Sequence, residues 1–270
     1  ILAQDCCAPN FIRALKDTSK TFNTQRETHE YFQQLIPKIK HSPHCSADAL
    51  AATYRRYAIT LKKQNAILEA VLQFDTAIIV KHYPTASQDI VLANAYHERA
   101  ECYEYMAQNK KAINDFKKAL ELQLQIKDTR DLEYRYMRLG RIYRKVGDHE
   151  QAIGNLSKSV ELHISLLGEK HKYNIGAWSE LNIAYANNNQ FEKAIDASQH
   201  AIFIAEYNED IRQLVKAYNN LGNTYEDKKE YQKAKDMYEQ ILNLCIKDSK
   251  APIRDCIKAQ NNLGFLYTKL

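Results

Sequence analysis

Rings and small residues recur along this chain with a period near 41. Ala70, Ala112, Ala152, Ala194 and Ala234 follow one another at steps of 42, 40, 42 and 40. Twelve positions before each stands a small or modest residue: Ala58, Ala100, Gly140, Asn182 and Gly222, with Gly264 continuing the series. The interval of twelve never varies, so the uneven steps belong to the connections between repeats. Four residues before the first five small positions comes a ring: Tyr54, Tyr96, Tyr136, Trp178 and Tyr218; Gln260 stands there before Gly264. Three residues after the small positions come Leu61, Tyr103, Tyr143, Tyr185, Tyr225 and Tyr267. Four after the alanines come Phe74, Phe116, Leu156, Ser198 and Tyr238. Offsets of three and four share one face of an α-helix. Each repeat therefore predicts two antiparallel helices, with rings filling the space between them and small residues allowing close approach.

This pattern resembles the tetratricopeptide repeat family, in which an aromatic, Leu-Gly, Tyr, Ala and Phe follow in that order. Tyr218, Leu221-Gly222, Tyr225, Ala234 and Tyr238 match it nearly throughout, and the resemblance covers residues from about 50 to 270. Repeats longer than the common 34 residues are similar to the kinesin-light-chain type, and Leu166 to His171 resembles the connection of that type. The Pro usual after the His is replaced by Lys172. The resemblance implies an all-α fold: an open α-α superhelix of about five hairpins, a terminal half repeat and an N-terminal cap. The expected boundaries are a tail at 1–9, a degenerate helical cap at 10–48, and repeats at 49–88, 89–130, 131–172, 173–212 and 213–254. A half repeat follows at 255–270. In the cap, Phe11, Ile12 and Leu15 suggest one helix. Tyr31, Phe32, Leu35 and Ile39 suggest another, with Pro37 expected to bend it.

Composition narrows the picture further. Seven glycines and five prolines in 270 residues are too few for the turns of a sandwich or barrel. A hydrophobic share of 45% with 26% charged residues fits a foldable chain, and no apolar run is long enough to span a bilayer. The net charge of +5 permits an acidic partner without demanding nucleic acid. The opening Ile1-Leu2-Ala3-Gln4 resembles the tail of a cleaved secretory signal, which makes a periplasmic or otherwise exported location the expectation and a cytoplasmic one the alternative.

The first helices, by resemblance, line the concave side. One of their outward positions carries Arg56, Glu98, Arg138, Glu180, Asn220 and Asn262. Three residues on come Ile59, Glu101, Arg141, Ile183, Asn223 and Phe265. The N-terminal half is a ladder of alternating sign. Arg138, Arg141, Arg144 and Lys145 look like a basic stripe, but Glu98, Glu101 and Glu104 sit opposite one repeat earlier. Mutual pairing is therefore preferred to nucleic-acid binding, and an acidic peptide on Arg138 and Arg141 stays open. The C-terminal half is rich in amides: Lys216, Asn219, Asn220 and Asn223 recur as Lys258, Asn261 and Asn262. Asn is a poor helix former, and its amide offers both donor and acceptor, so the cluster can hold an extended peptide backbone. The resemblance to kinesin-light-chain repeats implies this role for Asn220 and Asn262, and the two lysines could hold a carboxylate.

Six cysteines leave a disulfide between Cys245 and Cys256, or two free thiols there, both open. Cys45 could pair with Cys6 or Cys7, and Cys102 reads as a buried thiol. The run His41-Ser42-Pro43-His44-Cys45 contains metal-ligand types, but no second cluster accompanies it, and a loop is the better reading. No phosphate loop, nucleophile elbow or HExxH motif occurs. The expectation is a non-catalytic scaffold for a peptide or protein segment, without a cofactor. Arrays with this look resemble the sensory arms of bacterial signalling proteins of the histidine-kinase type, in which a membrane segment lies downstream. The regulatory arm of a caspase-like (CHAT-type) protease and a cytoplasmic assembly adaptor are the alternatives.

Overall fold

The computed structural model describes residues 11–42, 45–81, 90–248 and 250–269. Residues 1–10 with Cys6 and Cys7, Pro43, His44, the side chain of Ile12, and residues 82–89 lie outside the described residues. Thirteen helices and no strand occur among the described residues. They fall into two compact units, residues 1–130 and 131–270.

The first unit holds α1 (Phe11–Ser19), α2 (Gln25–Lys40), α3 (Ala47–Lys63), α4 (Ile67–Lys81), α5 (Ile90–Tyr105) and α6 (Asn109–Gln125). Helices α3/α4 and α5/α6 are hairpins, and α1 and α2 pack on α3. Phe11, Leu15, Phe32, Leu35 and Ile39 of this cap are buried together with Tyr57, Leu61 and Phe74. The Phe32 and Tyr57 rings stack with centroids 4.6 Å apart. Helix α2 opens with a capping box: the Thr24 hydroxyl accepts from Glu27 N, and the Glu27 carboxylate accepts from the backbone N–H of Thr24. Pro37 stands inside α2.

The second unit holds α7 (Leu132–Lys145), α8 (His149–Leu167), α9 (Asn174–Asn187), α10 (Phe191–Tyr207), α11 (Ile211–Asp227), α12 (Tyr231–Lys247) and α13 (Ile253–Leu266). These are three hairpins and one further helix, each packed on its sequence neighbours. In both units the first helices of successive repeats also touch one another: α3 and α5, α7 and α9, α9 and α11, α11 and α13.

The unvarying interval of twelve has a local cause. Every hairpin turn contains one residue of positive φ at the same place: Asn65, Ala107, Gly147, Asn189 and Lys229. In each, the next backbone N–H returns to the carbonyl five residues earlier, as from Gln108 to Tyr103 (2.8 Å) and from Glu230 to Tyr225 (2.8 Å). This is the Schellman closure of a helix. Between repeats the closure is not universal: it recurs at Lys127 (Asp128 N to Gln123 O, 3.3 Å) and Glu209 (Asp210 N to Ala205 O, 2.9 Å), whereas the α8–α9 connection turns at Gly168 and the α12–α13 connection carries no residue of positive φ among the described residues.

The small positions are where the two helices of a hairpin meet. A Cβ on Gly222 would lie 2.6 Å from Tyr238 Cε1, and one on Gly140 would lie 2.6 Å from Leu156 Cγ. Tyr238 and Leu156 are fully buried. The fourth repeat reverses the sizes: Asn182 replaces the small residue and Ser198 replaces the ring, and both are buried. The Asn182 amide donates to Ala194 O (2.8 Å) and to Thr224 Oγ1 (3.0 Å) of the next first helix. The flanking rings are only half-buried at Tyr54, Tyr96, Trp178 and Tyr218, and Tyr267 is exposed. They lie at the margins of the hairpin, and the residues four after each alanine fill its centre.

Candidate functional site

Within each unit the first helices touch, and their charges pair along a repeated diagonal. In the first unit, Lys62 at the end of α3 contacts Glu98 and lies 2.7 Å from Glu101 Oε2 of α5. Arg55 Nη2 stands 3.7 Å from Glu98 Oε1. Burial works against the Lys62 charge, but the two glutamates outweigh it and hold the ammonium above its usual range. Burial pulls the Arg55 guanidinium below its usual value, with Glu98 opposing. In the second unit, Arg141 Nε and Arg144 Nη2 of α7 lie 3.2 and 3.1 Å from the two carboxylate oxygens of Glu180 on α9. Arg138 packs its guanidinium over Tyr134, 5.9 Å from the ring centroid. Arg141 and Arg144 are thus committed to a neighbouring helix, where they share the one carboxylate of Glu180.

The amide cluster occupies the same diagonal. Asn262 Nδ2 of α13 donates to Asn223 Oδ1 of α11 (3.4 Å), the step of 39 residues that also relates Arg141 to Glu180. The Tyr238 hydroxyl donates to Asn223 Oδ1 (2.7 Å) and lies 3.1 Å from Glu226. Burial, reinforced by Glu226, raises the Tyr238 phenol well above its usual range, so it stays a donor. Asn219 does not lie on an exposed stripe as expected: it is 7% exposed, with Oδ1 unpartnered. The open part of the cluster is Asn220, half-buried, and Lys216, Lys258 and Asn261, all exposed. No side-chain hydrogen bond of Asn220 and no ion pair of Lys216 or Lys258 occurs among the described residues.

Three arrangements were not expected from the sequence. Arg99 clamps three helices: Nε and Nη2 bind Asp115 (2.6 and 2.8 Å) and Nη1 binds Asp75 (2.6 Å). Its signal was available, since Arg99 stands where Leu139, Leu181 and Leu221 precede the small residue in other repeats. His29 of α2 is held between the Tyr57 hydroxyl and Glu69, with Nε2 3.0 Å from Oε2, fastening the cap to the first hairpin. Nothing in the repeat pattern marks His29, because the cap lies outside it. Trp178 stacks on His200 with centroids 4.3 Å apart.

Cys245 and Cys256 form a disulfide, with Cα atoms 6.1 Å apart, across the α12–α13 connection. Cys45 is disulfide-bonded to a partner outside the described residues, which removes it from the ligand types of the 41–45 run. Cys102 is a buried thiol, pushed up to about 11 mainly by burial. Among the described residues no group of three His, Cys, Asp or Glu side chains is placed to hold a metal, and no helix is long and apolar enough to cross a membrane.

Comparison with known proteins bears on this arrangement directly. Tetratricopeptide-repeat family models match residues 93–125, 134–162 and 215–246. No curated protein matches the chain. Among solved structures, BtubC (BKLC) from P. vanneervenii is 17% identical, with a TM-score of 0.67 over 87% of this chain and 91% of that one. A variant of a Podosopora anserina kinesin light chain with nearly identical TPR-like repeats is also 17% identical at a TM-score of 0.67. It covers 77% of this chain and 100% of its own. YrrB, a TPR protein with an unusual peptide-binding site, is 19% identical at 0.57, over 85% of this chain and 97% of that one. These likenesses carry the fold, and the family models carry the repeat identity. A shared hairpin turn, a small residue facing a bulky one and the family matches make residues 93–125, 134–162 and 215–246 tetratricopeptide repeats, an array that supports a protein–protein interaction scaffold.

Proposed function

We propose that the inner face of the second unit binds an extended peptide or protein segment, centred on Asn220 and flanked by Lys216, Lys258 and Asn261. One observation carries this reading. Glu180, Arg141, Asn223 and Asn262 are all satisfied by neighbouring helices, whereas among the described residues Asn220 has no side-chain hydrogen bond and the exposed Lys216 and Lys258 have no carboxylate partner. Such a side chain can bond both groups of a peptide backbone without reading its sequence, and the lysines favour an acidic side chain or a terminal carboxylate. The resemblance to YrrB, a TPR protein with a peptide-binding site, is in keeping with it.

The test uses a displayed random-peptide library panned on the oxidised chain. The recovered peptides bind Asn220→Ala and Lys216→Ala/Lys258→Ala chains at least about tenfold more weakly, in line with ~1–3 kcal/mol for each lost charged or amide bond. Circular dichroism stays unchanged. Equal binding by wild type and variants removes the assignment.

We further propose that the scaffold is the exported sensory or regulatory arm of a larger signalling protein of the histidine-kinase type. The bridged Cys245, Cys256 and Cys45 support an oxidising compartment. They weigh against the cytoplasmic adaptor.

A further inference from the structure

Helix α4 is apolar on its outer side as well as its inner one. Ala70, Val71, Phe74, Ala77 and Ile78 are buried, as the hairpin requires. On the other side Leu68, Leu72 and Ile79 are 71%, 60% and 63% exposed. The repeat register makes this an exception. Leu68 stands where the other second helices carry Lys110, Glu150, Glu192 and Gln232. Leu72 stands where they carry Asn114, Gly154, Asp196 and Asp236, and Ile79 where they carry Glu121, Glu161, Phe203 and Asn243. A helix apolar all round is ordinarily a covered one. This face lies inside the array, where α4 already has both of its neighbours, α3 and α5.

Thr76 completes the stripe. Its hydroxyl donates to Leu72 O (2.9 Å) and needs no outside partner. Positions 68, 72, 76 and 79 keep the steps of three and four that form a helix–helix seam. No charge interrupts them: Glu69 and Asp75 of the same helix are engaged by His29 (3.0 Å) and Arg99 (2.6 Å). At the Leu68 end, Tyr105, 68% exposed, and Met106 close a groove of about 430 Å³ with the hairpin turn at Asn65.

We propose that this face is the contact between two copies of the chain, with α4 packed antiparallel on its two-fold mate. A two-fold axis sets like on like. A charged face repels itself there, whereas an uncharged stripe is its own complement. The spacing also suits reversal. With the axis between Leu72 and Thr76, Leu72 meets Thr76 of the partner subunit, a large residue against a small one. Leu68, beside the Tyr105 groove, then meets Ile79 of the partner subunit. The exposed apolar side chains offer on the order of 500 Å² per copy, or about 1,000 Å² in all, the lower bound of a specific interface. Dimerisation is therefore concentration-dependent. It uses the first unit alone and none of the residues around Asn220, so either proposal can fail without the other.

Sedimentation velocity on the oxidised chain tests this. Between about 1 and 200 μM the monomer gives way to a dimer. Leu72→Glu weakens the dimer at least about tenfold by placing two carboxylates near the axis. An acid is compatible with the helix at this place, as Asp196 and Asp236 show, and circular dichroism stays unchanged. Thr76→Lys alone weakens the dimer as well. An equimolar mixture of the two variants dimerises again, because the introduced carboxylate and ammonium face each other across the axis. A chain that stays monomeric at the highest concentration overturns the proposal and gives the face to a different protein. A dimer indifferent to Leu72→Glu, or a mixture that does not recover, overturns the antiparallel seam and the proposal with it.

Discussion

At the scale of the residue, the fold depends on volume exchanged across each hairpin. Gly140 and Gly222 exist because Leu156 and Tyr238 occupy the space a Cβ would need. Gly154 lies on an exposed side of α8 with nothing within 4 Å. The same substitution should therefore have opposite signs at the two kinds of site. Gly154→Ala gains helix propensity and stabilises by about 0.5–1 kcal/mol. Gly222→Ala gains the same propensity but drives a methyl against a fully buried ring. Overpacking costs about 1–3 kcal/mol, so the net effect is destabilisation. Denaturant melts of the two variants check this; a stabilised Gly222→Ala would mean that the ring can yield. The small residues themselves were legible in the sequence, because position twelve before an alanine is a periodic fact. The reason for Asn182 was not. Its amide bonds Thr224 on the next repeat, a contact 42 residues away that only packing reveals.

At the scale of the element, periodicity predicted the hairpins well because each turn repeats one hydrogen-bonded closure, and a local device leaves a local signature. Pairings between helices were less legible. The alternating ladder was visible, but its diagonal step, Lys62 to Glu101 and Arg141 to Glu180, depends on how far one first helix is offset from the next. The amide cluster lost Asn219 to the interior, and Asn223 and Asn262 to each other, for the same reason. Arg99 is the sharpest case. It replaces a leucine and carries its own compensation in Asp115, which is 7% exposed. Arg99→Leu restores the repeat consensus yet leaves that carboxylate buried without its partner, at a cost of about 3–5 kcal/mol. Arg99→Leu with Asp115→Ala removes both charges, and most of the loss should return. A double-mutant cycle by chemical denaturation measures the coupling. Additive losses would show that the clamp is not a unit.

At the scale of the whole molecule, stability within each unit is a chain of neighbour contacts, as expected of repeats that pack only on the next. In the second unit α13 is held by α12, by α11 and by the disulfide, and only Ala259, Leu263 and Leu266 of its own residues are buried hydrophobics. Closing the short loop between Cys245 and Cys256, eleven positions apart, contributes about 3 kcal/mol by loop entropy. That is comparable to burying one or two side chains, at ~1.5–3 kcal/mol each, so the bridge decides whether α13 stays docked. With Cys45, Cys245 and Cys256 bridged, the denatured, unreduced protein should titrate fewer than six free thiols. Reduction and alkylation should then accelerate amide exchange across residues 253–266. Exchange in α9 and α11 stays slow, because each keeps a second helix of its own. Mass spectrometry of exchanged peptides distinguishes this graded opening from a cooperative one. If α9 loses protection together with α13, the unit melts as a single body, and the disulfide stabilises far more than the helix beside it.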